Sequence, residues 1–245
     1  MPPNPPPLLV AISGPSSSGK TTLSRLLRDI FPTTFILHED DFYKPDSEIP
    51  VKNGIADWDC LESLDLSALK AALQHIKAQG TSPPGLESKE DRNSVGEVAV
   101  DADVVERFKA EAKAAGWAKG RKVAIVDGFL LFSEEMREIR DLFDVKLFLR
   151  TDYRTAKTRR ENRKGYVTLE GFWEDPPGYV DQIVWPNYVK DHAFLFEGGD
   201  VEGTAIEPLC RELGIEIMPD EAQGHMTECL GWAYRILKSQ LQEGK

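Results

Sequence analysis

The chain has 245 residues, 41% of them hydrophobic and 29% charged, which is a soluble globular balance and ample for a real core. A net charge of −11 argues against nucleic acid or an anionic membrane as partner, because phosphate-rich surfaces demand basic patches, but it leaves room for a small phosphate ligand in a local basic pocket. Three scattered cysteines (Cys60, Cys210, Cys229) lack metal-ligand spacing, and there is neither a signal-peptide pattern nor an apolar run approaching ~20 residues, so the expected address is the cytoplasm, with the nucleus open.

Residues 1–7, MPPNPPP, read as a proline-rich disordered tail ahead of one domain over 8–245. LLVAISG (8–14) is a continuous apolar run ending in Gly, the pattern of a buried parallel strand. KTTLSRLLRDIF (20–31) carries Leu23, Leu26, Leu27 and Ile30 at helical spacing and is closed by Pro32. TFILHED (34–40) is a second apolar strand, and 41–60 reads as an irregular loop. LDLSALKAALQHIKAQG (64–80) is an amphipathic helix capped by Gly80. A polar excursion (81–101) leads to a predicted surface helix at 101–117. KVAIVDG (122–128) and VKLFLR (145–150) are two more strands, separated by the helical stretch EEMREIRDLF. YRTAKTRRENRKG (153–165) is a basic helix in an acidic protein; GIEIM (214–218) is the last strand and TECLGWAYRILKSQLQ (227–242) the last helix. Alternating strands and helices predict an α/β fold: a five-stranded, mostly parallel sheet flanked by helices, joined by right-handed crossovers.

GPSSSGKT (14–21) satisfies G-x-x-x-x-G-K-[ST] between a predicted strand and a predicted helix, which makes it a P-loop. In such a loop the backbone from Gly14 through Pro15, Ser16, Ser17, Ser18 and Gly19 to Thr22 folds round phosphates at a helix N-terminus. Lys20 reaches the β/γ-phosphates and Thr21 reaches Mg²⁺. Asp127, ending its strand, is a candidate further metal ligand; the bland alternative is an Asp that caps a turn. The acidic pair Asp40–Asp41 would be a solvated turn in isolation. If its strand runs parallel to the P-loop strand, however, Asp40 opens onto the same crevice, where it can take a hydroxyl proton and approach the metal. No guanine-reading N-K-x-D is present, and IVDGF lacks the second acid of a motor ATPase. Arg159, Arg160 and Arg163 fall within about one helical turn, the material of a mobile arginine-rich lid that excludes water during phosphoryl transfer.

GPSSSGKTTL, HEDDFYKPDSEIP, NGIADWDCLESLD, IVDGFLLF and above all PPGYVDQIVWPNYVKDH resemble nicotinamide riboside kinases, of the uridine-kinase-like branch of P-loop nucleoside kinases. The resemblance covers most of 8–80 and 122–192. It implies Mg²⁺-dependent transfer of the ATP γ-phosphate to the ribose 5′-hydroxyl of nicotinamide riboside, giving nicotinamide mononucleotide. By the same resemblance Asp40 is the general base, with Lys20 and Arg160 catalytic beside it. Asp41, Phe42 and Tyr43 would wall the nucleoside pocket, and Trp58 and Asp59 would bind the pyridinium and the ribose. An aromatic face over a cation is favourable by ~0.5–2 kcal/mol. Arg160 and Tyr166 would touch substrate, while Arg159 and Arg163 would touch ATP. Two segments, near 81–121 and 193–213, are insertions relative to the family. His38 and His192 read as structural, and Trp185, Pro186 and Tyr188 as packing. A uridine/cytidine-type kinase is the alternative enzyme, and a non-catalytic nucleotide-binding regulator the alternative of another class.

Overall fold

A computed structural model of the chain describes residues 6–86, 88, 99–117, 121–163, 165–168 and 171–243. Most of the predicted tail and of the 81–101 excursion therefore lies outside the described residues. Five parallel strands make the central sheet: β1 (Leu8–Ser13), β2 (Thr34–His38), β5 (Val123–Asp127), β6 (Val145–Phe148) and β9 (Ile215–Ile217), in the order β2-β5-β1-β6-β9. Every residue of β1 and β5 is buried, which is why both read as unbroken apolar runs. The chain leaves β1 for β2 on one side and later crosses to β6 on the other. The crevice outside the C-terminal end of β1 is thus the switch point of a P-loop fold, where α/β sheets bind ligands.

Helices cover both faces. On one face α1 (Lys20–Ile30) packs with α3 (Ala102–Ala114) and α8 (Met226–Glu243). The predicted surface helix at 101–117 is shorter and less exposed than expected, because Val105, Phe108 and Ala112 are buried and Phe108 stacks on Tyr234 with ring centroids 3.9 Å apart. On the other face lie α2 (Leu66–Gln79), α4 (Arg137–Arg140), α6 (Trp185–His192) and α7 (Glu207–Leu213). EEMREIRDLF yields only the short α4. The 193–213 insertion joins the core through Leu195 and Phe196, with the Ile206 N–H donating to the Leu195 carbonyl. Trp185 and Tyr188 pack as expected, ring centroids 5.0 Å apart. Among the described residues no helix is long and apolar enough to cross a membrane.

Two boundaries differ instructively. The strand predicted at 34–40 stops at His38, whose register partner Asp127 is the last residue of β5, so edge strand β2 has nothing left to pair with. Glu39–Phe42 then turns as a 3₁₀ helix. The 41–60 loop contains a hairpin, β3 (Val51–Lys52) and β4 (Ile55–Ala56), turned by Asn53 and Gly54 with φ of 52° and 81°. Positive φ at both central residues is the type I′ signature that Asn-Gly pairs announce. A second hairpin, β7 (Tyr166–Val167) and β8 (Phe172–Trp173), follows α5 (Tyr153–Glu161).

Candidate active site

The P-loop closes on itself at the end of β1. Gly14 has φ of 139°, and a Cβ there would lie 2.3 Å from the Leu149 carbonyl oxygen, so only glycine fits. Lys20 Nζ donates to the carbonyls of Gly14 and Pro15, each at 3.0 Å. Burial pulls its ammonium below the ordinary value, while the carboxylates of Asp40 and Asp127 pull the other way. Lys20, Thr21 and Thr22 open, with Ser16, Ser17 and Gly19, onto a cleft of about 1080 Å³ that includes its mouth in solvent. Gly14, Pro15 and Ser18 sit behind this lining and shape the loop.

Asp40 and Asp127 line the same cleft from the ends of β2 and β5. Beside Asp127 stands His38, whose Nδ1 lies 2.5 Å from Asp127 Oδ1. His38 is therefore more than the structural residue expected from sequence: it lines the cleft and fixes one oxygen of Asp127. The other, Oδ2, is buried and has no hydrogen-bond partner among the described residues. Glu39, on the turn after His38, is wholly buried and its Oε2 accepts from the backbone N–H groups of Phe129 (2.7 Å) and Leu130 (3.1 Å). Burial pushes its carboxyl up to about 7.

The aromatic side of the cleft holds Tyr43, Trp58, Phe129, Tyr166 and Trp173. Tyr43 meets Trp58 edge-on at 5.3 Å and stacks on Phe129 at 6.3 Å; Trp58 tilts against Trp173 at 5.8 Å. The strip 41–43 departs from expectation. Phe42 is packed in the core beside Leu69 and Leu73, and Asp41 does not line the cleft. A 3₁₀ turn repeats every three residues, so Asp40 and Tyr43 share its cleft side and the two between them do not.

Arg160 is buried at the back of the cleft. Its Nη1 and Nη2 bind Asp59 Oδ1 and Oδ2 at 2.8 and 2.9 Å, its Nε binds Asp175 at 2.7 Å, and Nη1 also reaches Ser16 Oγ at 2.9 Å. Its guanidinium lies over the rings of Tyr166 and Tyr179, at 5.1 and 5.3 Å. Burial alone would lower its pKa, but the carboxylate of Asp59, the Tyr166 hydroxyl and Asp175 hold it well above the ordinary value. Arg159 and Arg163, by contrast, are exposed. Arg159 donates to the Ser17 carbonyl at 3.3 Å, and Arg163 lines the cleft and donates to Tyr166. Sequence reasoning missed Asp175, Trp173 and Tyr179, although they lie in or beside the FWEDPPGY string. It also missed Asn187, whose Nδ2 donates to Asp57 and to the Asp59 carbonyl.

No family model matches the sequence. Thymidylate kinase from Candida albicans covers 96% of this chain and 92% of its own at 13% identity and a TM-score of 0.38, too remote to add to the topology. Curated relatives are much nearer. Nicotinamide riboside kinase of Schizosaccharomyces pombe is 42% identical over 236 residues, 96% of this chain and 98% of that protein. The Saccharomyces cerevisiae protein of the same name is 41% identical over 199 residues, 80% of this chain and 82% of that one. The Eremothecium gossypii protein is 36% identical over 218 residues, 88% and 87% of the two chains. Identity at this level along nearly the whole length, together with a P-loop sheet and an acid at the end of β2, means that the chain belongs to the nicotinamide riboside kinase family.

Proposed function

We propose that residues 8–245 act as one domain that transfers the γ-phosphate of ATP to the ribose 5′-hydroxyl of nicotinamide riboside, giving nicotinamide mononucleotide for NAD synthesis in the cytoplasm. The observation that supports this most is the meeting, in one cleft, of the P-loop Lys20 and Thr21 with Asp40 and with the aromatic wall of Tyr43 and Trp58. In this reading Asp40 accepts the hydroxyl proton as the phosphoryl group arrives. Lys20, already drawn into the loop by two carbonyls, offsets charge on the β/γ-phosphates. Asp59, held by Arg160, takes the ribose hydroxyls, and Trp58 with Tyr166 faces the pyridinium, where an aromatic surface is worth ~0.5–2 kcal/mol to a cation. Arg159, in the last turn of α5, and Arg163, just beyond it, serve as a lid over the triphosphate.

The donor set suits Mg²⁺. Asp127 keeps a buried Oδ2, unpartnered among the described residues, beside the cleft that Asp40 and Thr21 also line. Among the described residues no three His, Cys, Asp or Glu side chains cluster as metal ligands, so Thr21, Asp40 and Asp127 would hold the ion together with the phosphates and water. When bound, Mg²⁺ supplies positive charge against the β- and γ-phosphate oxygens. Mass spectrometry of the product formed from ATP and nicotinamide riboside tests the proposal: the mononucleotide is expected, and free phosphate with unchanged riboside would refute it.

A further inference from the structure

Building on that function, we infer that Glu39 is a positioning residue: by tying the turn after β2 to the Phe129–Leu130 backbone, it sets Asp40 in register with the aromatic wall of the nucleoside pocket. Both ends of this tie reach the cleft. Asp40 is the next residue in the Glu39–Phe42 turn, and Tyr43 follows it directly. At the other end Phe129 lines the cleft and stacks on Tyr43. A single carboxylate oxygen, Oε2, accepts both adjacent amides, at 2.7 and 3.1 Å, so the two segments cannot slide without breaking a bond.

Gly128 carries the complementary half of the device. A Cβ at that position would stand 2.4 Å from Glu39 Oε2 and 2.6 Å from Glu39 Cβ. The latter atom is not the free end of a side chain, so a methyl group could enter only by displacing the turn itself. Glycine is needed here for space.

The Phe129 and Leu130 amides need an acceptor, but a buried carboxyl group is a costly way to supply one. Glu39 is fully buried, and its second oxygen, Oε1, has no hydrogen-bond partner among the described residues. Burying such a group costs free energy. A buried polar atom left unsatisfied in a folded protein calls for an explanation, and a role at a functional site is one. What the carboxylate fixes is the distance between the proton acceptor and the ring wall, and misplacement by about 1 Å in such a site costs about 10²-fold in rate.

The test uses the full chain. Wild type is first assayed with ATP against a panel of nucleosides, and the best substrate is carried forward, so a wrong substrate assignment changes the nucleoside used and leaves the Glu39 comparison intact. Kinetic constants for ATP and nucleoside, and nucleoside binding by tryptophan fluorescence, are then measured for Glu39→Gln, Glu39→Ala and Gly128→Ala. Glu39→Gln, which keeps an oxygen acceptor, should stay within a few-fold of wild type. Glu39→Ala and Gly128→Ala should lose about 10²-fold in kcat/KM for the nucleoside, with KM for ATP little changed. If Glu39→Ala is too unstable to purify, Glu39→Asp, one methylene short of the two amides, takes its place. The inference is overturned if Glu39→Ala lowers thermal stability but turns over normally per folded molecule, or if Glu39→Gln is as defective as Glu39→Ala. A wild type inert toward every nucleoside overturns both this inference and the function it rests on.

Discussion

Arg160 and Asp59 form a two-pronged ion pair inside the protein, Nη1 to Oδ1 at 2.8 Å and Nη2 to Oδ2 at 2.9 Å, with both side chains almost wholly buried. The pair joins the basic helix α5 to the loop that carries Trp58, and Asp175 closes it from a third side. Of the three arginines grouped in the sequence, one is therefore an internal fixture and two are exposed.

Arg160→Lys should expose that difference. Lysine offers a point charge in place of a planar fork and cannot serve both carboxylates in the same geometry. Full removal of one partner of a buried pair costs about 3–5 kcal/mol, so Arg160→Met should approach that loss and Arg160→Lys should fall between it and wild type, both with a raised KM for nucleoside. Arg163→Ala, at an exposed side chain, should change stability by less than about 0.5 kcal/mol and act on KM for ATP. Chemical denaturation alongside steady-state kinetics separates the cases.

Trp58 is the residue through which charge on the base should be felt. It is packed edge-on by Tyr43 and against Trp173, so its orientation is fixed before any ligand arrives. Trp58→Leu keeps an apolar wall but removes the ring face, and should cut the preference for nicotinamide riboside over uridine by about 2- to 30-fold, the equivalent of ~0.5–2 kcal/mol. An equal loss toward both nucleosides would mean that Trp58 only packs.

Two buried groups give stability opposite dependences on pH. Burial holds the His192 imidazole down to about 4, below its ordinary 6.5, so the stability due to its neutral form is complete above 6.5 and is lost as pH falls toward 4. Burial pushes Glu39 up to about 7 from 4.5, so its contribution is complete below 4.5 and is lost as pH rises through 7. Each window spans about 2.5 units, or about 3 kcal/mol. Against wild type, His192→Gln should gain stability as pH falls from 6.5 to 4, and Glu39→Gln should gain it as pH rises from 4.5 to 7. Denaturation midpoints across pH 4–8 check both, and parallel curves for variant and wild type would contradict the assignment.

Much of the architecture was legible because buried parallel strands announce themselves as apolar runs: β1 and β5 are covered on both faces, so nothing polar interrupts them. The P-loop was legible for another reason, that only glycine fits where Gly14 meets Leu149. The pairing of His38 with Asp127 was not, since the residues lie 89 apart and meet only through the register of β2 on β5. Phe42 departs from the expected wall of consecutive residues, because a 3₁₀ turn shows the cleft only every third side chain. Asp175 and Tyr179 escaped notice because their partner, Arg160, was expected on a mobile lid instead of in the interior.

Asp40, as proton acceptor for a cationic nucleoside, is the centre of the proposed chemistry. The most direct measurement is ADP release with ATP and Mg²⁺ over nicotinamide riboside, uridine, cytidine and adenosine, with Asp40→Asn beside wild type. Nicotinamide riboside should lead the panel, and Asp40→Asn should lose about 10²–10⁴-fold in kcat while still binding ATP. Turnover led by uridine, or an Asp40→Asn variant as fast as wild type, would contradict it.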